Sequence, residues 1–341
     1  MGKYNIIKTT DPSDFREQII NFWKDYLPDT TAYRFNWLLK GNPAGRTIWI
    51  LAFLDQTDSL VGTVSLMPKE IMQKGNVFHG AIMGDFMVHE KHRVFGPAIN
   101  LLKAAANYVS NNEFDFIYTI PNLASTKLVE RVGFKEEISL DAYFKPINLS
   151  YYVEKYIPAL FSQICTPVVE VCLRAISKDT YMFSSGICEE KIQADSSFDK
   201  LWKTMTGRVD DIVADHSAAY INWRYMNNPC VDFRLLTYRE KRKDALSGYI
   251  VFNKVDGRIT VYEICALSKK PVEQMLRYLT RTARKERCVA IYFDASLNNR
   301  WLSILRSHRF FNAKNTINLF WLGNGNISPE NWDYLQGDRN I

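Results

Sequence analysis

The residues in this sequence best suited to chemistry form the run Arg93-Val94-Phe95-Gly96-Pro97-Ala98, an R-x-x-G-x-A pattern. Glycine lets a ligand approach the backbone closely. The unpaired N–H groups of a loop and of a following helix N-terminus bind phosphate oxygens. Pro97 removes one donor but is tolerated in a first helical turn. The run therefore predicts a pyrophosphate-binding loop, and an ordinary tight turn at a helix start is the alternative.

Two elements would position this loop, a strand before it and a helix after it. Alternating residues predict a strand at Ala81–Val88, and apolar residues at helical spacing predict a helix from Gly96 to Val109. The surrounding residues favour a mixed α/β fold. They predict a helix at Phe15–Tyr26, strands at Thr47–Leu54, Leu60–Met67 and Phe114–Ile120, and a short helix at Ser125–Val132.

An internal repeat organises the chain. Asn36-Trp37 recurs as Asn222-Trp223, and Leu60-Val61-Gly62 recurs at the same offset as Leu246-Ser247-Gly248. Asn122 with Gly133-Phe134 then matches Asn298 with Arg309-Phe310 at a second, shorter offset. Constant offsets over several anchors predict two copies of one fold. We expect domains at 1–145 and 181–325, a connector at 146–180 with a strand at Val168–Ala175, and a loosely packed tail at 326–341.

The second copy repeats the predicted element order of the first. Its strands are expected at Asp232–Tyr238, Gly248–Asn253, Thr260–Ala266, Val289–Phe293 and Thr316–Leu322, and its helices at Pro271–Lys285 and Asn299–Ser307. Where the glycine loop should recur, the sequence reads Leu267-Ser268-Lys269-Lys270-Pro271-Val272. That stretch has no glycine for the close approach of a pyrophosphate, so the second copy is predicted to be degenerate in its cofactor loop.

The sequence resembles the GNAT superfamily of acyl-CoA-dependent N-acyltransferases at three places. These are Val88, the R-x-x-G-x-A loop, and Asn122 followed by Gly133-Phe134. The resemblance covers about residues 5–145 and extends through the repeat to about 180–323, which implies two tandem GNAT-like domains. It also implies that acyl-CoA is the co-substrate and that the N-terminal copy binds it. The residues implied in that binding are Met87, Val88, Arg93, Val94, Phe95, Gly96, Pro97, Ala98, Asn122 and Ser125.

Chemistry of this superfamily is direct attack of an amine on a thioester, which needs proton transfer and oxyanion stabilisation. Strand alternation puts Asp85 and Met87 on the face opposite Val88. We therefore expect Asp85, and His89 just beyond the strand, to face the cleft as catalytic residues. A structural carboxylate and a surface histidine are the alternatives for Asp85 and His89.

The sequence departs from the family pattern at one catalytic position. Many members carry a tyrosine four residues before the glycine of Gly133-Phe134, where it protonates the thiolate. Val129 stands there in this chain. Protonation is therefore expected from another tyrosine, such as Tyr143, or from water.

The box Asn222-Trp223-Arg224-Tyr225 resembles a segment of nucleotide-sugar N-acyltransferases of the FdhC type, which act in surface-polysaccharide synthesis. An arginine between two aromatic rings offers a charge for a diphosphate and flat faces for a base or sugar. The expected acceptor is the amine of a nucleotide-linked amino sugar, such as a dTDP-3-amino-3,6-dideoxyhexose, acylated with an acetyl or hydroxybutanoyl group. Its binding residues are expected to be Tyr143, Trp223, Arg224, Tyr225 and Glu263.

Other interpretations stay open at this point. Trp223 and Tyr225 could instead be core residues on one face of an element. The chain could be a cell-wall peptidyl or aminoacyl transferase, although the intact glycine loop argues against that. It could also be an acyl-CoA-binding protein without activity, since the usual tyrosine is missing.

Composition limits the class of protein further. The chain has 341 residues, 47% of them hydrophobic, and a net charge of +6, which excludes a disordered chain and gives no dense basic stripe for nucleic acid. No apolar run is long enough to cross a bilayer. The six cysteines lack metal-ligand spacing, so we expect buried free thiols, no metal and a cytoplasmic location. The sequence does not determine the oligomeric state.

Overall fold

A computed structural model gives the fold. It describes residues 4–27, 31–55, 57–93, 96–148, 168, 171–172, 174–175, 177–181, 183–206, 212–241 and 245–340.

Thirteen strands of the described residues form one mixed sheet. They are β1 (Tyr4–Thr9), β2 (Ile48–Leu54), β3 (Ser59–Gln73), β4 (Asn76–Val88), β5 (Phe116–Thr119), β6 (Lys135–Pro146), β7 (Gly186–Lys191), β8 (Val213–Ala214), β9 (Phe233–Glu240), β10 (Leu246–Val255), β11 (Arg258–Ala266), β12 (Ala290–Ser296) and β13 (Phe311–Gly323). The spatial order is β1-β2-β3-β4-β5-β13-β6-β12-β11-β10-β9-β7, and β8 pairs with β3.

Helices cover both faces of the sheet. They are α1 (Arg16–Trp23), α2 (Thr31–Leu39), α3 (Pro97–Ser110), α4 (Leu123–Arg131), α5 (Lys178–Tyr181), α6 (Ser196–Thr206), α7 (Ala218–Ile221), α8 (Lys269–Lys285) and α9 (Leu302–Ser307). A π-helical turn, Asn222–Met226, follows α7. The described elements confirm the mixed α/β fold that the apolar patterns predict.

The two halves exchange their last strands. Strand β13, from the second half, lies next to β5, and β6, from the first half, lies next to β12. The two exchanged strands also pair with each other. Each half therefore closes its sheet with a strand of the other half, and no free sheet edge separates them.

The repeated sequence anchors have matching structural roles. Gly62 in β3 pairs with Val88, and Gly248 in β10 pairs with Ala266. A Cβ atom at Gly62 would lie 2.9 Å from Leu101 of α3, and one at Gly248 would lie 3.1 Å from Met275 of α8. The glycines therefore recur because a helix packs tightly onto the same place of each sheet half.

A core shared by both halves fills the face that carries α1, α2, α6 and α7. At its centre the repeated tryptophans Trp37 and Trp223 stack with their centroids 5.1 Å apart and their planes 10° apart. Each indole N–H donates to a carbonyl of the other half, Trp37 to Trp223 at 3.0 Å and Trp223 to Lys40 at 3.1 Å. Two further cores lie under α3 and under α8.

Three expectations from the sequence are wrong. The described residues within Val168–Ala175 are helical, not extended. The tail at 326–341 does not pack loosely, because Trp332, Tyr334 and Leu335 are buried in the cores. Cys265 and Cys288 are buried free thiols as expected, but Cys172 is exposed.

Candidate active site

A cleft of about 220 Å³ opens where β4 and β5 diverge. The two strands pair in parallel only as far as Ile82 and Tyr118, and beyond that point they separate. The cleft is lined by Ile82, Met83, Gly84, Asp85, Phe86, Tyr118, Thr119, Ile120, Pro121, Asn122, Ser125, Val129, Tyr334, Arg339 and Asn340.

A β-bulge at Asp85 lies where β4 diverges from β5. Thr63 pairs with Met87 and Ser65 pairs with Gly84, so two residues of β4 face one residue of β3. Asp85 has a φ of 49°, in the left-handed region that aspartate tolerates better than most residues. A bulge bends its strand and re-aims the side chains next to it. The separation of β4 from β5 thus has a local cause.

The carboxylate of Asp85 is buried and fully engaged. One oxygen accepts from Arg34 Nε at 2.8 Å, and the other accepts from Ser65 Oγ at 2.5 Å. The carbonyl of Asp85 accepts from Thr63 Oγ1 at 2.9 Å. The side chains thus hold the bulge in place and keep the carboxylate, paired with Arg34, on the wall of the cleft.

The glycine loop has the geometry of an anion cradle in its described part. Gly96 has a φ of 99° and caps α3, and a Cβ atom built on it would meet nothing within 4 Å. Pro97 occupies the first turn of the helix, and Ala98 is buried beneath it. Arg93 donates from Nε to the carbonyl of Val88 at 3.2 Å and keeps its side chain largely exposed. The space over Gly96 can therefore accept a phosphate group; Val94 and Phe95 lie outside the described residues.

Asn122 and Ser125 line the cleft on the other side. Asn122 caps α4, and its side-chain oxygen accepts from the backbone N–H and the hydroxyl of Ser125, at 3.0 and 2.9 Å. Val88 ends β4, and its carbonyl accepts from both Tyr26 and Arg93. Met87 is half-buried beside it. Among the described residues that were predicted to bind the cofactor, Asn122 and Ser125 line the cleft, whereas Met87, Val88, Arg93, Gly96, Pro97 and Ala98 do not.

Two predicted residues lie away from the cleft. His89 caps the turn Glu90–His92, where its Nδ1 accepts from the backbone of Lys91 at 3.3 Å. Tyr143 is buried in the core under α8, on the part of β6 that pairs with β12. Neither residue is among those that line the cleft.

The sequence analysis missed a segment that completes the cleft, residues 334–340, which we call the C-terminal strap. Asn340 accepts from Arg34 Nη2 at 2.7 Å and lies directly against Gly84. Lys69 donates to Asp338 at 2.7 Å in a buried ion pair, and Tyr118 donates to the Asp338 carbonyl at 2.6 Å. The aromatic and apolar residues around position 332 were the signal in the sequence that this segment is buried.

Trp223, Arg224 and Tyr225 lie in the interior. Arg224 is fully buried and donates from Nη2 to the Gly337 carbonyl at 3.0 Å and to the Arg339 carbonyl. Tyr225 donates to Glu263 at 2.8 Å. None of these side chains lines the cleft; Arg224 and Tyr225 contact the strap, and Trp223 stacks on Trp37.

Glu263 has the place in β11 that Asp85 has in β4, because each lies three residues before the partner of a repeated glycine. Glu263 is buried, with His216 Nδ1 at 3.6 Å. Burial and the nearby carboxylate of Asp338 raise the pKa of Glu263 to about 8. Burial also lowers the pKa of His216 to about 3, so the ring is neutral.

The corresponding gap in the second half is filled by the strap. Strands β11 and β12 pair in parallel as far as Val261 and Phe293. Beyond that point Leu335 forms a bridge with Ala295. Gly337 lies so close to Tyr225 Oη that a Cβ atom on it would be 2.0 Å away. The chain's own backbone thus takes the space that is open between β4 and β5.

The described residues include no group of three or more histidine, cysteine, aspartate or glutamate side chains able to hold a metal ion. Among the helices of the described part, none has the length and apolar character needed to cross a membrane.

Comparison with known proteins agrees with this architecture. Residues 12–134 match the model of the acetyltransferase (GNAT) family. The matched residues lie in the N-terminal half and include β4 and β5, which form the open cleft. No curated protein is detectably similar in sequence to the chain.

Solved structures resemble the chain over almost its whole length. A probable N-acyltransferase from Enterococcus faecalis has a TM-score of 0.68 at 11% identity, covering 97% of this chain and 74% of its own. A GCN5-related N-acetyltransferase from Anabaena variabilis has a TM-score of 0.65 at 14% identity, covering 93% and 72%. Saccharomyces cerevisiae N-myristoyltransferase with bound myristoyl-CoA has a TM-score of 0.59 at 11% identity, covering 94% and 83%. The chain thus has the GNAT fold.

Proposed function

We propose that this protein is an acyl-CoA-dependent N-acyltransferase whose reaction takes place in the cleft between β4 and β5. The observation that carries the proposal is the cleft at the diverging ends of β4 and β5, with the Gly96 cradle following β4 in the chain at the start of α3. The family match over residues 12–134 covers both features. The N-myristoyltransferase of the same fold, solved with myristoyl-CoA, adds support for an acyl-CoA donor.

The residues of the described site fit a coenzyme A thioester, which would supply the activated acyl group. The open space over Gly96 and the dipole of α3 would hold the pyrophosphate. Asn122 and Ser125 would hold the pantetheine side of the cleft. Asp85 would orient the acceptor ammonium group and take up or relay its proton, because it is a buried carboxylate on the cleft wall.

The acceptor is proposed to be a primary amine. The strap residues Arg339 and Asn340 line the cleft together with Asp85, so they would contact the acceptor. The nucleotide-linked amino sugar rests on the sequence resemblance near Trp223. Arg224 and Tyr225 are buried, and Trp223 lines a separate pocket with Tyr33 and Asn36, away from the cleft between β4 and β5.

Coenzyme A binding tests the location of the donor site. Gly96→Val should abolish coenzyme A binding in calorimetry, because a branched side chain fills the cradle and disfavours the positive φ. Gly75→Val is the matched control: Gly75 also has a positive φ and open space, but it lies in the hairpin between β3 and β4. Unchanged affinity in Gly96→Val would refute the assignment.

A thiol-release assay tests the activity and the acceptor. The full-length protein is mixed with acetyl-CoA or a longer acyl-CoA and with a panel of amines, which includes nucleotide amino sugars, polyamines and a lysine peptide. Amine-dependent release of thiol supports the transferase. Binding of coenzyme A without release for any amine of the panel would favour an acyl-CoA-binding protein without activity.

A further inference from the structure

Val129 lines the cleft at the position where many members of the GNAT superfamily carry a tyrosine, so this position has no proton donor. Among the described lining residues, most polar groups already have partners. The Tyr118 hydroxyl donates to the Asp338 carbonyl, and the Ser125 hydroxyl bonds to Asn122. Asp85 is held by Arg34 and Ser65. None of these three groups offers a spare O–H to a leaving group.

Tyr334, at the start of the strap, lines the same cleft as Val129. Its hydroxyl is buried and has no hydrogen-bond partner in the described part of the chain. Buried hydroxyls are nearly always paired, so an unpaired one on the wall of an active-site cleft indicates a group that a ligand completes.

The ring of Tyr334 is held firmly in this place. It packs edge-on against Trp332 at 5.2 Å and against Tyr118 at 6.3 Å. Its carbonyl accepts from the backbone N–H of Ser296 at 3.3 Å. Burial and the charge of Asp338 raise the pKa of Tyr334 well above its ordinary value, so the hydroxyl carries its proton when a ligand binds.

We propose that Tyr334 is the catalytic proton donor to the leaving thiolate, in the place of the tyrosine that Val129 replaces. This inference rests on the proposed N-acyltransferase function. As the amine nitrogen bonds to the acyl carbon, the carbon–sulfur bond breaks and its electron pair goes to sulfur. Tyr334 gives its proton to that sulfur, and the amine loses one proton through Asp85 to solvent. The phenolate then regains a proton from solvent, so the net reaction moves one proton from nitrogen to sulfur.

The other tyrosine considered from the sequence is less suitable. Tyr143 lies on β6, between β12 and β13 in the sheet, packs in the core under α8 and does not line the cleft. A proton donor must come within hydrogen-bond reach of the atom that it protonates. Tyr334 meets the requirement of position, and Tyr143 does not.

The test compares Tyr334→Phe with the full-length wild type. We expect kcat to fall about 10²-fold or more with the acceptor KM unchanged. Calorimetry gives a readout independent of turnover. Wild type should bind coenzyme A more tightly than its desulfo analogue, and Tyr334→Phe should lose that difference. Tyr238→Phe is the matched control, because Tyr238 is equally buried but lies on β9 with its hydroxyl 3.1 Å from Ser185 Oγ.

Each result has a defined meaning. A kcat within threefold of wild type in Tyr334→Phe, or an equal loss in Tyr238→Phe, overturns the role of Tyr334 while the transferase stands. Wild type that releases no thiol with any amine overturns the transferase and this inference with it. If Tyr334→Phe does not fold, difluorotyrosine placed at 334 decides: its more acidic phenol should bring an alkaline fall in kcat into the measurable pH range, and a kcat–pH profile equal to that of wild type refutes the proposal.

Discussion

Asp85 combines two tasks in one residue. Its backbone forms the bulge at which β4 leaves β5, and its carboxylate lies on the wall of the cleft so formed. Arg34 joins this carboxylate to Asn340 of the strap. A substitution at Asp85 can therefore act through charge or through backbone shape, and an informative test changes only the charge.

Asp85→Asn is such a change, because asparagine tolerates the left-handed conformation as well as aspartate does. We expect kcat/KM to fall by about 10²–10⁴-fold if the carboxylate takes the amine proton. Coenzyme A affinity should stay the same. Asp58→Asn is the control, since Asp58 has a φ of 51° but is exposed in the turn between β2 and β3. A loss under threefold would make Asp85 a structural carboxylate.

The sequence could predict site residues that lie close together in the chain. Arg93, Gly96 and Asn122 are ordered by local turns and helix caps, which depend on a few neighbouring residues. The pair of Arg34 and Asn340 is separated by 306 positions, and only the tertiary fold brings the two together. Arg34, Asn340 and Tyr334 therefore could not be found from local spacing.

At the scale of elements, the strap contacts both sheet halves. It lines the cleft in the first half and pairs with β12 in the second. It has no regular secondary structure apart from the short turn Gln336–Asp338. Buried side chains hold it in place: Lys69 binds Asp338, and Arg224 binds two strap carbonyls. The prediction of a loose tail failed because the segment has neither helical nor strand periodicity.

The ion pair between Lys69 and Asp338 should be the main attachment of the strap. Lys69→Met alone leaves a buried carboxylate without its cation, which costs about 3–5 kcal/mol of unfolding free energy. The double variant Lys69→Met with Asp338→Leu should recover much of that loss, because no unpaired charge remains. Urea denaturation of both variants checks this. If the double variant is less stable than Lys69→Met by the full cost of a second lost partner, the two groups do not act as a pair.

Strands with clear alternation or continuous apolar runs were predictable, as in β2, β4 and β11, because one periodicity dominates each of them. The exchange of β6 and β13 between the two halves was not predictable from the sequence. Each strand has the same local pattern whether it pairs within its own half or with the other, so only the whole fold determines its neighbours.

At the scale of the whole molecule, the exchange makes the halves depend on each other. Without β13, the first half would expose the edge of β5 and lose half of the core around Trp37 and Trp223. An exposed strand edge favours aggregation. The two halves of the sequence should therefore behave as one cooperative unit.

Cleavage of the connector tests this dependence. A protease site inserted within residues 150–165 is cut after folding. We expect the two fragments to stay associated through the exchanged strands in gel filtration, to unfold in one transition and to keep their affinity for coenzyme A. An uncut protein with the same insertion is the control. Separation into two folded monomers would show that each half closes by itself.

The strap fills the gap between β11 and β12 as a bound ligand would, and it is covalently part of the same chain. A tethered segment has an effective concentration on the order of millimolar or higher, so a free acyl-CoA could enter this second gap only by displacing it. One chain should consequently bind one coenzyme A at saturation. Because the strap occupies this gap, no ligand contact is required at Leu267–Val272, which agrees with the absence of a glycine from that stretch.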